Sequence, residues 1–322
     1  MSQFFKQYKI LILLYFFAGK KMTKIAVLIP CYNEEKAIYK VVKDFKSQLP
    51  EADIYVYDNN SKDNTTEEAK RAGAIVKFEP RQGKGHVVRQ MFSNIEADIY
   101  LMVDGDGTYD HSRARELVNA LLEHQLDMVI GTRVEKTETA HRTGHKLGNQ
   151  LFNFALKVLF QSNFKDIFSG YRAFSRRMIK SFPAISNGFD IETELSVFAL
   201  NLKLPVREIE TDFFDRIAGT QSKLSTFKDG FKIGLRMLSL FKDFRPFLLF
   251  SLISTLLISL SLFLGVQVIQ EFLATAYVSR VPTALLCVGL MVLGFLSFAC
   301  GLILDSMSNQ RRENLRLHYL RN

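Results

Sequence analysis

Residues Ile99-Tyr100-Leu101-Met102-Val103-Asp104-Gly105-Asp106 run from a continuous apolar stretch straight into two carboxylates one residue apart. A short apolar run bounded by polar turn residues reads as a buried strand, which puts Asp104 and Asp106 at a strand's carboxyl end. Two carboxylates so placed can turn toward one divalent cation, Mg²⁺ or Mn²⁺. Such a hard ion takes oxygen ligands and keeps part of its shell for water and substrate phosphates. An Asp-x-Asp pair is also what a solvated turn looks like, and the strand in front of it separates the two readings.

The pattern recurs upstream and downstream. Residues 25–29 form an apolar run ending at Pro30, followed by the polar stretch Cys31-Tyr32-Asn33-Glu34-Glu35. Residues 34–49 then place Ala37, Ile38, Val41, Val42, Phe45 and Leu49 at helical spacing. Residues 54–57 are a second strand, ending in Asp58-Asn59-Asn60-Ser61-Lys62-Asp63; Asn64 with Glu67 three positions on resembles a capping box. Residues 75–78 are a third strand, leading to Gly83-Lys84-Gly85 and a helix, and residues 128–130 are a fifth, ending at Gly131. Strands alternating with helices predict an α/β domain with a mostly parallel sheet. Ligands of such sheets bind beyond the strands' carboxyl ends, where the polar stretches fall. Asp58 can accept hydrogen bonds from the ring N–H of a base, or cap the next helix in an Asx turn. Lys84 with its glycines can meet phosphate at a helix start, or mark a plain flexible turn. Arg133, Arg142, His145, Lys146, Arg172, Arg216 and Lys223 supply cations suited to phosphate oxygens, though scattered cations also decorate ordinary surfaces.

The C-terminal third has a different character. Residues 247–269 and 283–304 carry no charge. As helices each would reach about 33 Å, enough for a hydrocarbon core of roughly 30 Å. Lys228, Lys232, Arg236, Lys242 and Arg245 precede the first run; Arg311, Arg312, Arg316 and Arg321 follow the second; the loop 270–282 holds Arg280 as its one cation. Positive charge marks the cytosolic side, which predicts a multi-pass membrane protein with the N-terminal domain and the C-terminal tail in the cytosol. Residues 227–245 mix cations with regularly spaced Phe and Leu, as an interfacial amphipathic helix does, or an ordinary surface helix of the N-terminal domain. Residues 10–18 are too short to span. Residues 1–21 form an N-terminal extension that either precedes a native start at Met22 or lies along the membrane surface. The net charge of +9 could serve a nucleic acid, but the cationic clusters flank the spans and favour lipid headgroups, so no nucleic-acid partner is expected. Cys31, Cys287 and Cys300 make no disulfide framework.

With these stretches in view, residues 24–226 resemble glycosyltransferase family 2, which has the GT-A fold. The resemblance is carried by residues 25–35, by Tyr57-Asp58-Asn59-Asn60-Ser61-Lys62-Asp63-Asn64-Thr65, by Val103-Asp104-Gly105-Asp106, by Gly131-Thr132-Arg133, by Phe168-Ser169-Gly170-Tyr171-Arg172, and by Arg216-Ile217-Ala218-Gly219-Thr220-Gln221-Ser222-Lys223. The second stretch departs from the family's Asp-Asp-Gly-Ser form at Asn59 and Asn60. Within the family the chain looks most like the polyprenyl-phosphate branch, which includes dolichyl-phosphate mannose synthase and bactoprenol glucosyl transferase. That implies a Rossmann-like domain over 22–226 followed by a membrane domain over 246–322, and transfer of a sugar from a nucleotide-sugar, UDP-glucose first among candidates, to a polyprenyl phosphate. It implies a nucleotide-sugar site at Pro30, Tyr32, Glu34, Asp58, Lys84, Asp104, Arg216 and Lys223. Asp104 and Asp106 would hold the metal, and Arg133 and Arg142 the acceptor phosphate. His145 and Lys146 stand where the branch often has a serine. Some two-span members are tetramers, which implies a homo-oligomer. A processive polysaccharide synthase is disfavoured, because its Gln-x-x-Arg-Trp motif needs a tryptophan and the chain has none, and two spans are too few for a translocation channel. A membrane adaptor that keeps the fold without chemistry is the remaining alternative, and the retained Asp104, Asp106, Arg133 and Arg216 speak against it.

Overall fold

Strand β1 (Ile25–Cys31) is the hub of a seven-stranded sheet in the computed structural model, which describes residues 23–135, 164–185, 188, 191–215, 239 and 242–322. The chain runs β1, α1 (Ile38–Gln48), β2 (Asp53–Asp58), α2 (Thr65–Arg71), β3 (Ile75–Phe78), α3 (Lys84–Asn94), β4 (Ile99–Met102), a 3₁₀ turn (His111–Arg113), α4 (Ala114–Glu123) and β5 (Met128–Glu135). After β6 (Arg172–Ser175), α5 (Arg176–Ser181), α6 (Ile191–Asn201) and β7 (Val206–Phe213) come two long helices, α7 (Pro246–Thr275) and α8 (Val281–Arg321). The strand order is β3-β2-β1-β4-β6-β5-β7. All pairings are parallel except those of β6, which runs antiparallel to both β4 and β5.

The α/β sheet is as expected, with particular differences. β5 runs on to Glu135, β6 arises beside a stretch read only as a motif, and β7 where no element was expected. The core lies on both faces of β1 and β4, whose residues Ala26, Val27, Leu28, Ile29, Tyr100, Leu101 and Met102 are fully buried. Helix α1 turns Ile38, Val41, Val42 and Phe45 into that core, as its spacing predicts.

The capping box expected at Asn64 is not formed: its side chain makes no cap bond. Asp63 Oδ1 instead accepts from the Thr65 N–H at 3.1 Å, and Glu35 Oε2 accepts from the Asn64 N–H at 3.1 Å. Two carboxylates reach the orphan donors of the helix start first, and a charged acceptor outcompetes an amide there.

The chain divides into two units, the sheet domain and a second that holds the two long helices. Helices α7 and α8, of 30 and 41 residues, are long and apolar enough to cross a membrane. Their contact is built from small residues at seven-residue spacing: Ser254 and Ser261 on α7, Gly294 and Gly301 on α8, all buried. A Cβ at Gly294 would stand 2.6 Å from Ile258 Cγ1, and one at Gly301 2.9 Å from Phe250 Cβ, so the glycines set how closely the helices approach. Ser261 and Ser297 donate across the pair to the carbonyls of Cys287 (2.7 Å) and Phe250 (3.0 Å). The turn is shorter than the loop expected over 270–282: α7 ends at Thr275 with Ala276 in the left-handed region at φ 53°, and α8 resumes at Val281. Most of segment 227–245, expected to be an interfacial helix, lies outside the described residues.

Candidate functional site

Pro30 opens the site. Leu28 accepts from the Val103 N–H at 3.0 Å and Cys31 from the Asn59 N–H at 2.9 Å, so residues 28 and 30 face β4 while 31 faces β2. Proline has no N–H to carry the β1–β4 ladder further. Pairing with β4 stops at Leu28↔Met102, whereas pairing with β2 continues to Cys31↔Asp58. The strands part where the order reverses from β1-β2-β3 to β4, the switch point at which open α/β sheets bind ligands.

On one side of that split, the turns after β1 and β2 are tied together. Asn33, at φ 54°, donates its N–H to Ser61 Oγ (2.9 Å) and accepts on Oδ1 from the Lys62 N–H (2.8 Å). The Glu34 N–H reaches Thr65 Oγ1 at 2.8 Å. Pro30 and Tyr32 are half-buried, and Glu34 is buried. Asp58 is buried with one oxygen, Oδ2, accepting from the Ser61 N–H at 3.2 Å; Oδ1 has no hydrogen-bond partner among the described residues. A buried carboxylate oxygen in that condition is costly and suits an incoming N–H donor.

Asn59 is an organiser that sequence reasoning missed. Its amide nitrogen donates to the carbonyls of Glu79 (2.9 Å) and Arg81 (2.8 Å), and its Oδ1 accepts from the Gly83 N–H (2.7 Å). An amide can both donate and accept; the aspartate of the family form could not give the two N–H bonds. Asn59 thus fixes the turn that launches α3, with Gly83 at φ 134° just before Lys84.

Lys84 does not stand open at the helix start. Its side chain, 9% exposed, forms ion pairs with Asp104 and with Glu192. Burial alone would lower the ammonium's pKa, but the two carboxylates outweigh it and hold it well above the ordinary lysine range. Burial pushes Glu192 above the usual carboxylate range, with Lys84 pulling the other way. Sequence reasoning did not pick out Glu192; the acidic opening of an otherwise apolar helix, Ile191-Glu192-Thr193-Glu194, is the signal it left unused.

Asp104 and Asp106 both sit in the turn after β4. Asp106 is buried, and its Oδ1 accepts from the Thr108 hydroxyl (2.7 Å) and N–H (3.2 Å). Gly170 packs against the Asp104 carboxylate, and its N–H donates to the Tyr109 hydroxyl at 2.8 Å. Burial raises the Tyr109 phenol to about 12, so it stays neutral. Asp104 and Asp106 are hard oxygen donors of the kind a divalent cation takes. Among the described residues no group of three His, Cys, Asp or Glu side chains is gathered for a metal.

Arg133 leaves β5 with its guanidinium over the Phe213 ring, 5.4 Å from the centroid. Arg172 is no phosphate ligand: it is fully buried, donating from Nε to the Ser169 carbonyl at 2.8 Å. Arg142, His145, Lys146, Arg216 and Lys223 lie outside the described residues.

A sequence model of the family described as "Glycosyl transferase family 2" matches residues 26–182. Glycosyltransferase AglJ of Haloferax volcanii is 30% identical over 294 residues, covering 91% of this chain and 96% of its own. Protein RfbJ of Shigella flexneri is 58% identical over 123 residues, which cover 38% of this chain and 95% of RfbJ. Among solved structures, glucosyl-3-phosphoglycerate synthase of Mycobacterium tuberculosis, in complex with Mn²⁺, UDP-glucose and phosphoglyceric acid, superposes with a TM-score of 0.55 at 20% identity, covering 70% of this chain and 80% of that one. That likeness is one of fold.

Proposed function

The chain belongs to glycosyl transferase family 2, and we propose that it moves a sugar from a nucleotide-sugar to a polyprenyl phosphate at the cytosolic face of a membrane. The observation that carries this reading is the joining, on one chain, of a nucleotide-type crevice ending in Asp58, Asp104 and Asp106 with two helices able to span a bilayer. A soluble sugar acceptor gives no reason for such helices; a lipid acceptor does. The structural neighbour, glucosyl-3-phosphoglycerate synthase, was solved with Mn²⁺ and UDP-glucose. UDP-glucose is accordingly our first candidate donor and a divalent cation our candidate cofactor.

Each residue has a defined task in this reading. Asp58 Oδ1 receives an N–H from the base, relieving its unpartnered state. Asp104 and Asp106 would hold Mg²⁺ or Mn²⁺, which when bound neutralises charge on the departing diphosphate. Lys84 keeps Asp104 paired while the site is empty, and Arg216 and Lys223 serve the diphosphate. Arg133, steadied by Phe213, takes the lipid phosphate together with Arg142, with His145 and Lys146 nearby in sequence. The cations around the spans support a cytosolic catalytic domain and C-terminal tail.

The test is a panel of nucleotide-sugars offered to the full chain in detergent with undecaprenyl phosphate, read by mass spectrometry of the lipid. One donor should give a hexosyl prenyl phosphate. Transfer from every donor to water alone, or no reaction with any, would overturn the reading.

A further inference from the structure

We infer that Glu192 is the second seat of the Lys84 ammonium, and that by retaining this charge it frees Asp104 to turn toward a metal. The inference rests on the proposed metal-dependent reading of the site and assigns within it a residue with no role so far.

The argument begins with the number of anions around one cation. Lys84 is paired with both Asp104 and Glu192, and the Lys84 and Glu192 side chains are only 9% and 5% exposed. A buried ammonium left without an anion is strongly disfavoured. With Asp104 as its sole partner, Lys84 would compete directly with a cation for that carboxylate, and metal binding would strand it. With Glu192 in place, Asp104 can leave and a complete buried ion pair remains. Glu192 is not itself gathered with Asp104 and Asp106 as a metal ligand: among the described residues no such trio exists. It comes from the first turn of α6, an element separate from the turn that carries Asp104 and Asp106. Asp104 is the more exposed of the two carboxylates, at 29% against 5%, so it is the one a cation from solvent can reach. Gly170, without a side chain, leaves the space beside it that this carboxylate occupies. Glu192 is therefore a positioning residue, acting on the metal through Lys84.

The test measures Mn²⁺ binding to the full chain in detergent with UDP present, by electron paramagnetic resonance of the free ion. The proteins are wild type, Glu192→Gln, Lys84→Met and the double variant. Glu192→Gln should weaken Mn²⁺ binding about tenfold or more, while in the Lys84→Met background the same change should cost less than about twofold, the mark of two residues acting as a unit. An equal loss in both backgrounds would mean that Glu192 does not act through Lys84 and would overturn the inference. So would wild-type affinity in Glu192→Gln. If Glu192→Gln fails to fold, Glu192→Asp replaces it: the shorter arm should weaken binding in the wild-type background only, and an equal loss in both overturns the inference in the same way. Wild type that binds no Mn²⁺ overturns the metal reading and this inference together. Wild type that binds Mn²⁺ but transfers no sugar to lipid leaves the inference standing while the acceptor assignment fails.

Discussion

Gly170 presents its bare Cα to the carboxylate of Asp104: a Cβ built there would lie 2.5 Å from Oδ2 and 2.9 Å from Cγ. No real Cβ sits so close, so any larger residue must push the carboxylate away from the turn after β4. Gly170→Ala should fold, since the displaced group is partly exposed, at a cost of about 1–3 kcal/mol. It should lose at least about tenfold in Mn²⁺-dependent UDP affinity, on the scale of one misplaced charged contact. Calorimetric titration with a parallel thermal melt checks both; unchanged affinity would show that Asp104 does not need this position.

Asp106→Asn isolates charge from geometry. An asparagine keeps the Oδ1 that accepts from Thr108 at 2.7 Å and 3.2 Å, so the turn should hold. Turnover should fall at least about a hundredfold, as on losing a transition-state charge contact. Near-normal turnover in the folded variant would remove Asp106 from the proposed metal site.

Asn59→Asp should do the reverse and damage geometry first. The carboxylate cannot donate to the carbonyls of Glu79 and Arg81, at 2.9 Å and 2.8 Å, and would face them with a negative charge. A loss of about 2 kcal/mol in unfolding free energy is expected for the buried bonds, read by denaturant titration. Donor affinity should fall with it, because the same side chain holds the Gly83 N–H before Lys84. Wild-type stability would mean that the turn does not depend on the amide.

What could be read in advance follows the range of the interactions. β1, β2 and β4 are apolar runs with polar ends, so Asp58, Asp104 and Asp106 were placed at strand ends from local pattern alone. β6 escaped because Phe168–Arg172 carries motif residues and β6 pairs only with strands distant in sequence. Glu192 escaped for the same reason: its partner Lys84 lies on another helix, and no spacing rule joins them. Asn64 was misjudged by a local rule, since Glu35, a neighbour only in three dimensions, took its N–H. In the helical hairpin, the uncharged runs stop at Ile269 and start again at Thr283 in sequence, short of Glu271 and Arg280. The helices nevertheless continue past or up to them, with Arg280 Nε 3.8 Å from Glu271 Oε2 across the turn.

The orientation of that hairpin is open to labelling. In a background freed of Cys31, Cys287 and Cys300, Val278→Cys in the short turn should react with an impermeant maleimide added outside. Leu315→Cys, on the α8 extension beyond the apolar run, should react only after permeabilisation. The opposite pattern would put the sheet domain outside the cell and remove it from cytosolic nucleotide-sugars.

The last prediction concerns the attack on the sugar. A phosphate monoester has a second pKa of about 6, so the proposed acceptor's oxygen is already largely anionic at neutral pH. A hydroxyl acceptor would need a general base; this one does not. Glu192 is poorly suited to that task, since its carboxylate is buried and engaged with Lys84. The difficulty is instead to bring two anions together: unit charges 4 Å apart repel by about 4 kcal/mol at an effective dielectric of 20. Arg133 over Phe213, with Arg142 and Arg216, would offset that repulsion and hold the reacting atoms in line. Transfer should therefore be a single displacement with inversion at the anomeric carbon. Its rate should rise as the acceptor ionises near pH 6 and then level off, without a second rise from an enzymic base. Arg133→Ala and Arg142→Ala should raise the KM for lipid phosphate at least about tenfold, and Arg216→Ala the KM for the donor, on the scale of one lost charge-assisted contact. A retained anomeric configuration, or a sugar covalently bound to the chain, would exclude direct attack by the phosphate.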